Sequence, residues 1–219
     1  MVAGVTHQFR VDVLETARAM NRLGINQGMS GNVSRRVHDG MLITPSGMDY
    51  DKAKPDDIVP MDFSGNWEGR LKPSSEWRFH GDIYAARTDA HAVVHTHSTH
   101  ATALACLRRP IPAFHYMVAV AGGTNIRCAP YATYGTQNLS EYVLKALDGR
   151  KACLLANHGL ICIEAGLEKA LALAVEVETL ARQYLAALTV GEPTLLDETE
   201  MAVVIERFKT YGAKAQDKA

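Results

Sequence analysis

Apolar residues recur at helical spacing in some stretches of this chain and at strand spacing in others, and the two alternate along its length. Residues 6–23 carry Phe9, Val13, Ala17 and Met20 on one stripe closed by Gly24, which predicts an amphipathic helix. A polar, glycine-broken turn from Asn26 to Ser34 leads into a strand, and Met41 to Thr44 forms another that ends at the turn Pro45-Ser46-Gly47. Pro55, Pro60, Gly65 and Gly69 divide residues 51–70 into short strands and turns. Pro73-Ser74-Ser75-Glu76 predicts a helix over 74–87, with a serine N-cap and Glu76 in its first turn. A β-branched strand follows at 92–97, after which Ser98 is placed to cap a helix over 99–107. A second apolar stretch, Ile111 to Val120, ends at Gly122-Gly123.

Leu139, Val143 and Leu147 stripe a helix at 137–147, and strands at 152–156 and 160–163 flank Asn157-His158-Gly159. The long helix 167–189 buries Ala170, Leu173, Val177, Leu180, Tyr184 and Leu188 before Gly191 and Pro193 end it. Asp197-Glu198-Thr199-Glu200 opens a last helix that fades near Tyr211-Gly212. Helices alternating with short strands predict an α/β or α+β fold with helices covering a sheet.

With 219 residues, no repeat and no Pro/Gly/Ser-rich linker, the chain reads as one domain over 1–219. A hydrophobic share of 47% and a charged share of 21% suit a chain that buries a substantial core. A formal net charge of −1 argues against nucleic acid or a membrane surface as partner, because no net field would draw either. The first residues have neither a basic nor an apolar segment, so no signal peptide is predicted, and no apolar run approaches the roughly 20 residues of a membrane span. Cys106, Cys128, Cys153 and Cys162 lack CxxC spacing and read as reduced core thiols in a cytoplasmic protein.

The chemistry concentrates at Val93-Val94-His95-Thr96-His97. Strand residues alternate faces, so His95 and His97 project to one side, as two imidazole ligands of a transition metal, zinc first among them, would. HxH by itself is a weak signal, and a hydrogen-bonded structural pair is its ordinary alternative. His158, at a break between two apolar runs and beside a glycine, is the candidate third ligand; three protein ligands and an open position are the catalytic pattern of zinc. Glu76 is the fourth candidate, although a carboxylate there would also complement the helix dipole. Ser74 and Ser75 lie beside unpaired helix N–H groups, a ready anion site, and the turns Gly28–Asn32 and Thr44–Gly47 offer further amides and hydroxyls to the same anion. No GxxxxGK[ST] motif accounts for them as a nucleotide loop.

Gly31-Asn32-Val33-Ser34, Thr44-Pro45-Ser46-Gly47, Pro73-Ser74-Ser75-Glu76-Trp77, His95-Thr96-His97 and Asn157-His158-Gly159 occur in this order in the class II aldolase/adducin-head family. The likeness continues through Ile111 to Tyr116, Ala129 to Gly135 and Phe208 to Gly212, from about residue 6 to 212. No single motif is specific; the ordered set is. The resemblance implies an α/β, three-layer domain with a central mixed, largely antiparallel sheet, and a flexible tail at about 212–219. It implies one Zn2+ per subunit on His95, His97 and His158, with Glu76 a metal-proximal carboxylate that acts as acid and base. It assigns the substrate phosphate to Gly31, Asn32, Ser46, Gly47, Ser74 and Ser75. Tyr116 would move a proton at the aldehyde-derived oxygen, entering from a neighbouring subunit of a fourfold homotetramer, while Tyr134 and the C-terminal Tyr211, the latter counted with the catalytic residues, would line or close the pocket.

The implied reaction is zinc-dependent retro-aldol cleavage of L-fuculose 1-phosphate, or a close ketose 1-phosphate, to dihydroxyacetone phosphate and L-lactaldehyde. Met29 departs from the family pattern, standing where a small hydroxylated residue is expected; a thioether donates no hydrogen bond, so that contact would pass to backbone amides. The alternatives are a ribulose-phosphate 4-epimerase, which tends to carry aspartate at the place of Glu76, a sugar-acid phosphate decarboxylase, a generic zinc hydrolase, and a non-enzymatic adducin-like interaction module that would lack the metal histidines.

Overall fold

In the computed structural model, which describes residues 2–209, seven strands form one mixed sheet. The strands are β1 (Asn32–Val37), β2 (Gly40–Ile43), β3 (Val59–Asp62), β4 (Ala92–Thr96), β5 (Arg127–Ala129), β6 (Ala152–Leu155) and β7 (Gly159–Glu164). The helices are α1 (His7–Arg22), α2 (Trp77–Ala86), α3 (Thr99–Cys106), α4 (Gln137–Ala146), α5 (Leu167–Val190) and α6 (Glu198–Phe208). Strand order is β3-β2-β1-β4-β7-β6-β5, and every pairing is antiparallel except β5 with β6. This is the α/β, largely antiparallel arrangement that the resemblance implies. Tyr211 and the tail 212–219 lie outside the described residues.

Both faces of the sheet are covered, so most strands are apolar on both sides and read as continuous hydrophobic runs rather than alternations. One core joins Val94, Leu154 and Cys162 to residues of α1, α3, α5 and α6, among them Val13, Leu104, Leu180 and Met201. The opposite core joins Val93, Leu155 and Ile161 to Phe79 and Ile83 of α2 and to Leu139 and Val143 of α4. Val93 and Val94 thus face opposite layers, and β4 is the central strand. His95, two residues on from Val93, faces the α2 layer, where its ring meets Phe79 edge-on with centroids 5.5 Å apart. No helix among the described residues is long and apolar enough to cross a membrane.

Three local expectations are corrected. α2 begins at Trp77, not at 74, because residues 74–76 form a turn in which the Trp77 N–H donates to the Ser74 carbonyl. Glu76 therefore occupies the N-cap position, and its carboxylate makes no capping bond. Ser98 precedes α3 as expected, yet its hydroxyl caps nothing. The carboxylate of Glu178, from α5, accepts from the N–H groups of His100 and Ala101 instead, since a full negative charge complements two orphan donors better than a neutral hydroxyl. Of the cysteines, Cys153 and Cys162 are buried, Cys128 is half-buried and Cys106, expected in the core, is exposed at the end of α3.

Candidate active site

His95 and His97 leave β4 on the same side, and His158 is brought to them by the tight β6–β7 connection. Asn157 adopts a left-handed φ of 55°, a conformation asparagine tolerates better than most residues, and its N–H donates to the Ala105 carbonyl. Gly159 follows because nothing larger fits: a Cβ there would lie 2.4 Å from the Thr96 carbonyl oxygen and 2.9 Å from the His97 ring. The result is a near-equilateral triangle of imidazoles, with centroids 4.9 Å (His95–His97), 4.8 Å (His95–His158) and 4.9 Å (His97–His158) apart.

Glu76 closes the group. Its Oε2 is 3.2 Å from His95 Nε2 and its Oε1 is 3.1 Å from His158 Nε2, and one donor atom from each of the four side chains lies within 4.8 Å of the others. His95 Nδ1 donates to the Leu160 carbonyl at 2.9 Å, which leaves its Nε2 lone pair facing the cluster, only 3.0 Å from His97 Nε2. Two ring nitrogens at that distance need a proton or a cation between them. Glu76 Oε1 is buried with no hydrogen-bond partner. A half-satisfied carboxylate surrounded by inward-facing imidazoles is the donor set of a divalent metal, zinc among them, so the residues fit such an ion.

The electrostatics agree. Burial pushes the Glu76 carboxyl up, but attraction to His95 and the close approach of the His158 and His95 rings outweigh it and hold the group well below the usual carboxylate range. Burial, then repulsion from His95 and His158, pushes His97 down to about 3, so it is a neutral imidazole ready to bind metal. His80, fully buried behind the cluster, is likewise pushed down to about 3, by burial and then by repulsion from His95.

The cluster opens into a cleft of about 390 Å³ whose lining includes Ser30, Ser46, Gly47, Ser75, Tyr131 and Tyr134. Two loops carry its serine and glycine side, clipped together by a bridge between Pro45 and Pro73, with Ser46 N–H donating to Lys72 O and Ser74 N–H to Thr44 O. The amides of Ser46 and Ser74 are thereby spent, while those of Gly47 and Ser75 have no backbone partner among the described residues. Met29 also lines the cleft and is half-exposed.

The other expected site residues are placed differently. Ser74 is buried, and its hydroxyl accepts from the Glu76 N–H at 3.3 Å. The Gly31 carbonyl accepts from the Tyr50 hydroxyl, and a Cβ on Gly31 would lie 2.6 Å from the His95 carbonyl, so this glycine lets β1 approach the metal strand. Asn32 does not line the cleft with its side chain; its amide donates to Glu76 Oε2 at 2.9 Å. Tyr116 is half-exposed, stacked on His115 and away from the cleft lining. Tyr131, Asn157 and His80 were not singled out by sequence reasoning. Polar Asn32 and Ser34 at i, i+2 on one face of β1, and His80 one turn beyond Glu76, were the available signals for the buried group.

The model of the family described as Class II Aldolase and Adducin N-terminal domain matches residues 11–185. The chain belongs to this family. It is 56% identical, over 94% of both chains, to the 5-methylthioribulose-1-phosphate/5-deoxyribulose-1-phosphate aldolase of Rhodospirillum rubrum. It is 55% identical to the L-fuculose phosphate aldolase of Escherichia coli O6:H1, over 94% of this chain and 96% of that one. A solved L-fuculose 1-phosphate aldolase superposes with a TM-score of 0.91 at 42% identity, covering 94% of this chain and 98% of the other. A class II aldolase with this four-residue cluster is a metal-dependent carbon–carbon lyase. That outcome removes the interaction-module and hydrolase alternatives.

Proposed function

We propose that this class II aldolase uses Zn2+ held by His95, His97 and His158 to cleave L-fuculose 1-phosphate to dihydroxyacetone phosphate and L-lactaldehyde. The observation that carries the reading is the convergence of three imidazoles and a buried carboxylate on one edge of a cleft whose other side is lined by serine hydroxyls and glycine-loop amides. Bound there, the cation supplies Lewis-acid stabilisation of the charge that retro-aldol cleavage leaves on the substrate. Ser46, Gly47 and Ser75, with Gly31, Asn32 and Ser74 supporting their loops, hold the phosphate at the start of α2, where free N–H groups favour an anion. Glu76 is the group placed to exchange a proton at C3, the carbon that loses its bond to C4. Tyr134, largely exposed at the cleft mouth, lines the aldehyde end.

A second substrate reading has a specific observation behind it. The relative that acts on 5-methylthioribulose 1-phosphate and 5-deoxyribulose 1-phosphate is as similar to this chain as the fuculose-phosphate enzymes are. Both readings release dihydroxyacetone phosphate and differ only in the aldehyde. A panel of these ketose 1-phosphates, with ribulose phosphates included, separates them: the expected outcome is dihydroxyacetone phosphate with L-lactaldehyde as the best-supported pair. Epimerised product without cleavage would transfer the chain to the epimerase reading.

Tyr116 acts on the C4 hydroxyl proton from a neighbouring copy. Its side chain is half-exposed and takes no part in lining its own cleft, which is compatible with the entry into a neighbouring copy's cleft that the family resemblance implies. We accordingly propose a homotetramer with sites at subunit interfaces, in the cytoplasm, where four unpaired cysteines are stable. Mixing Tyr116→Phe chains with Glu76→Gln chains, each nearly inactive alone, is expected to restore activity in mixed assemblies. No recovery, or a monomer in solution, would place Tyr116 elsewhere.

A further inference from the structure

Behind Glu76 runs a line of polar side chains in a layer that is otherwise apolar. Asn32 Nδ2 donates to Glu76 Oε2 at 2.9 Å. Asn32 Oδ1 is 2.6 Å from His80 Nε2, His80 Nδ1 is 2.6 Å from Ser34 Oγ, and Ser34 Oγ is 2.8 Å from the Tyr84 hydroxyl. All five residues are buried, with Ser34 and His80 at 0% exposure. None of the inner three reaches the cleft.

The chemistry of the groups fixes the direction of every bond. A carboxylate only accepts, so Asn32 presents its NH2 to Glu76, and its carbonyl is left to find a donor in a place without water. His80 Nε2–H is that donor. A neutral imidazole protonated at Nε2 is bare at Nδ1, so Ser34 donates there and receives the Tyr84 proton in turn. Four successive donors thus point towards Glu76 Oε2, each polarising the next. Oε2 is tethered, and Oε1, the atom without a partner, is the one turned to His158. An unsupported Asn32 amide could turn over and set its carbonyl oxygen against the carboxylate.

We propose that His80 is a positioning residue: in its Nε2–H form it locks the Asn32 amide and so aims the Glu76 carboxylate for proton transfer. This rests on the acid–base role proposed for Glu76. The phenyl ring of His80→Phe fills the space of the imidazole but leaves Asn32 Oδ1 without its donor and the Ser34 hydroxyl proton without its acceptor. His80→Gln retains a donor, its NH2 group, and an acceptor, its carbonyl, at the tip of the side chain.

The test combines three measurements on the full-length zinc-loaded enzyme and one on the metal-free protein. In His80→Phe, kcat is expected to fall about 10- to 100-fold, the scale of a misplaced catalytic group, with KM within about twofold and zinc content unchanged. Exchange of the C3 protons of dihydroxyacetone phosphate with D2O, which needs no aldehyde, falls in parallel. His80→Gln recovers most of both rates. In the unmodified metal-free protein, 15N NMR is expected to show His80 protonated at Nε2 and bare at Nδ1, a result that does not depend on any variant folding. An Nδ1–H tautomer, an unimpaired His80→Phe, or a His80→Gln as slow as His80→Phe would each overturn the inference. Glu76→Gln is run alongside: if it exchanges normally, the Glu76 reading fails and this one with it, whereas loss in Glu76→Gln beside a normal His80→Phe removes only His80.

Discussion

Stripping the enzyme with a strong chelator is expected to lower cleavage of ketose 1-phosphates by at least about 10³-fold, with recovery on adding Zn2+. Lewis-acid stabilisation of developing charge is worth several kcal/mol, and about 4 kcal/mol corresponds to that factor. His95 Nε2 and His97 Nε2 stand 3.0 Å apart and Glu76 Oε1 is buried without a partner. Without the cation, four inward-facing groups have only one another, so the thermal midpoint should fall as well, in proportion to how tightly the ion binds the folded state. Colorimetric zinc release, turnover and a melting curve read the three effects. Full activity in a preparation shown to be metal-free would remove the metal from the mechanism and leave the imidazole triangle as a structural cluster.

Glu76→Gln is expected to keep zinc and lose about 10²- to 10⁴-fold in kcat, the range for a single acid–base group. The replacement conserves volume, keeps one oxygen to accept from Asn32, and removes the charge and the capacity to carry a proton while turning the other oxygen into an NH2 group. Three histidines remain to hold the ion. The environment spends heavily to keep this group ionised: the side chain is 5% exposed, yet His95 and His158 hold its carboxyl below the ordinary range. Because its helix position calls for no carboxylate cap and it makes none, a purely structural role would cost little activity when replaced by the amide. Metal content and turnover measured on the same sample separate the outcomes; near-normal turnover with full zinc would assign proton transfer to another group.

Much of this site depended on short-range rules. His95 and His97 share a face because strand residues alternate, and the register of β4 against the flanking strands keeps that alternation. Helix stripes such as Val13, Ala17 and Met20, or Leu173, Val177 and Leu180, are buried as their periodicity requires. Expectations failed where a distant residue competed with a near one. Ser98 had the right chemistry for a cap, but Glu178 reaches the same N–H groups with a full charge. Asn32 stood in a loop suited to an anion, yet its amide faces Glu76 and His80 from β1.

The amino-acid sequence by itself determined the elements, the two strand-paired imidazoles, the glycines at close approaches and the family. Periodicity, turn chemistry and motif order act over a few residues and are written locally. Only the tertiary structure decided that His158 completes the triangle and Glu76 closes the group, that Ser74 and Ser46 amides are consumed between loops, and that a buried line from Tyr84 to Asn32 stands behind the carboxylate. Those arrangements follow from which sheet face meets which helix, and that choice is made by the packing of two cores rather than by any one segment.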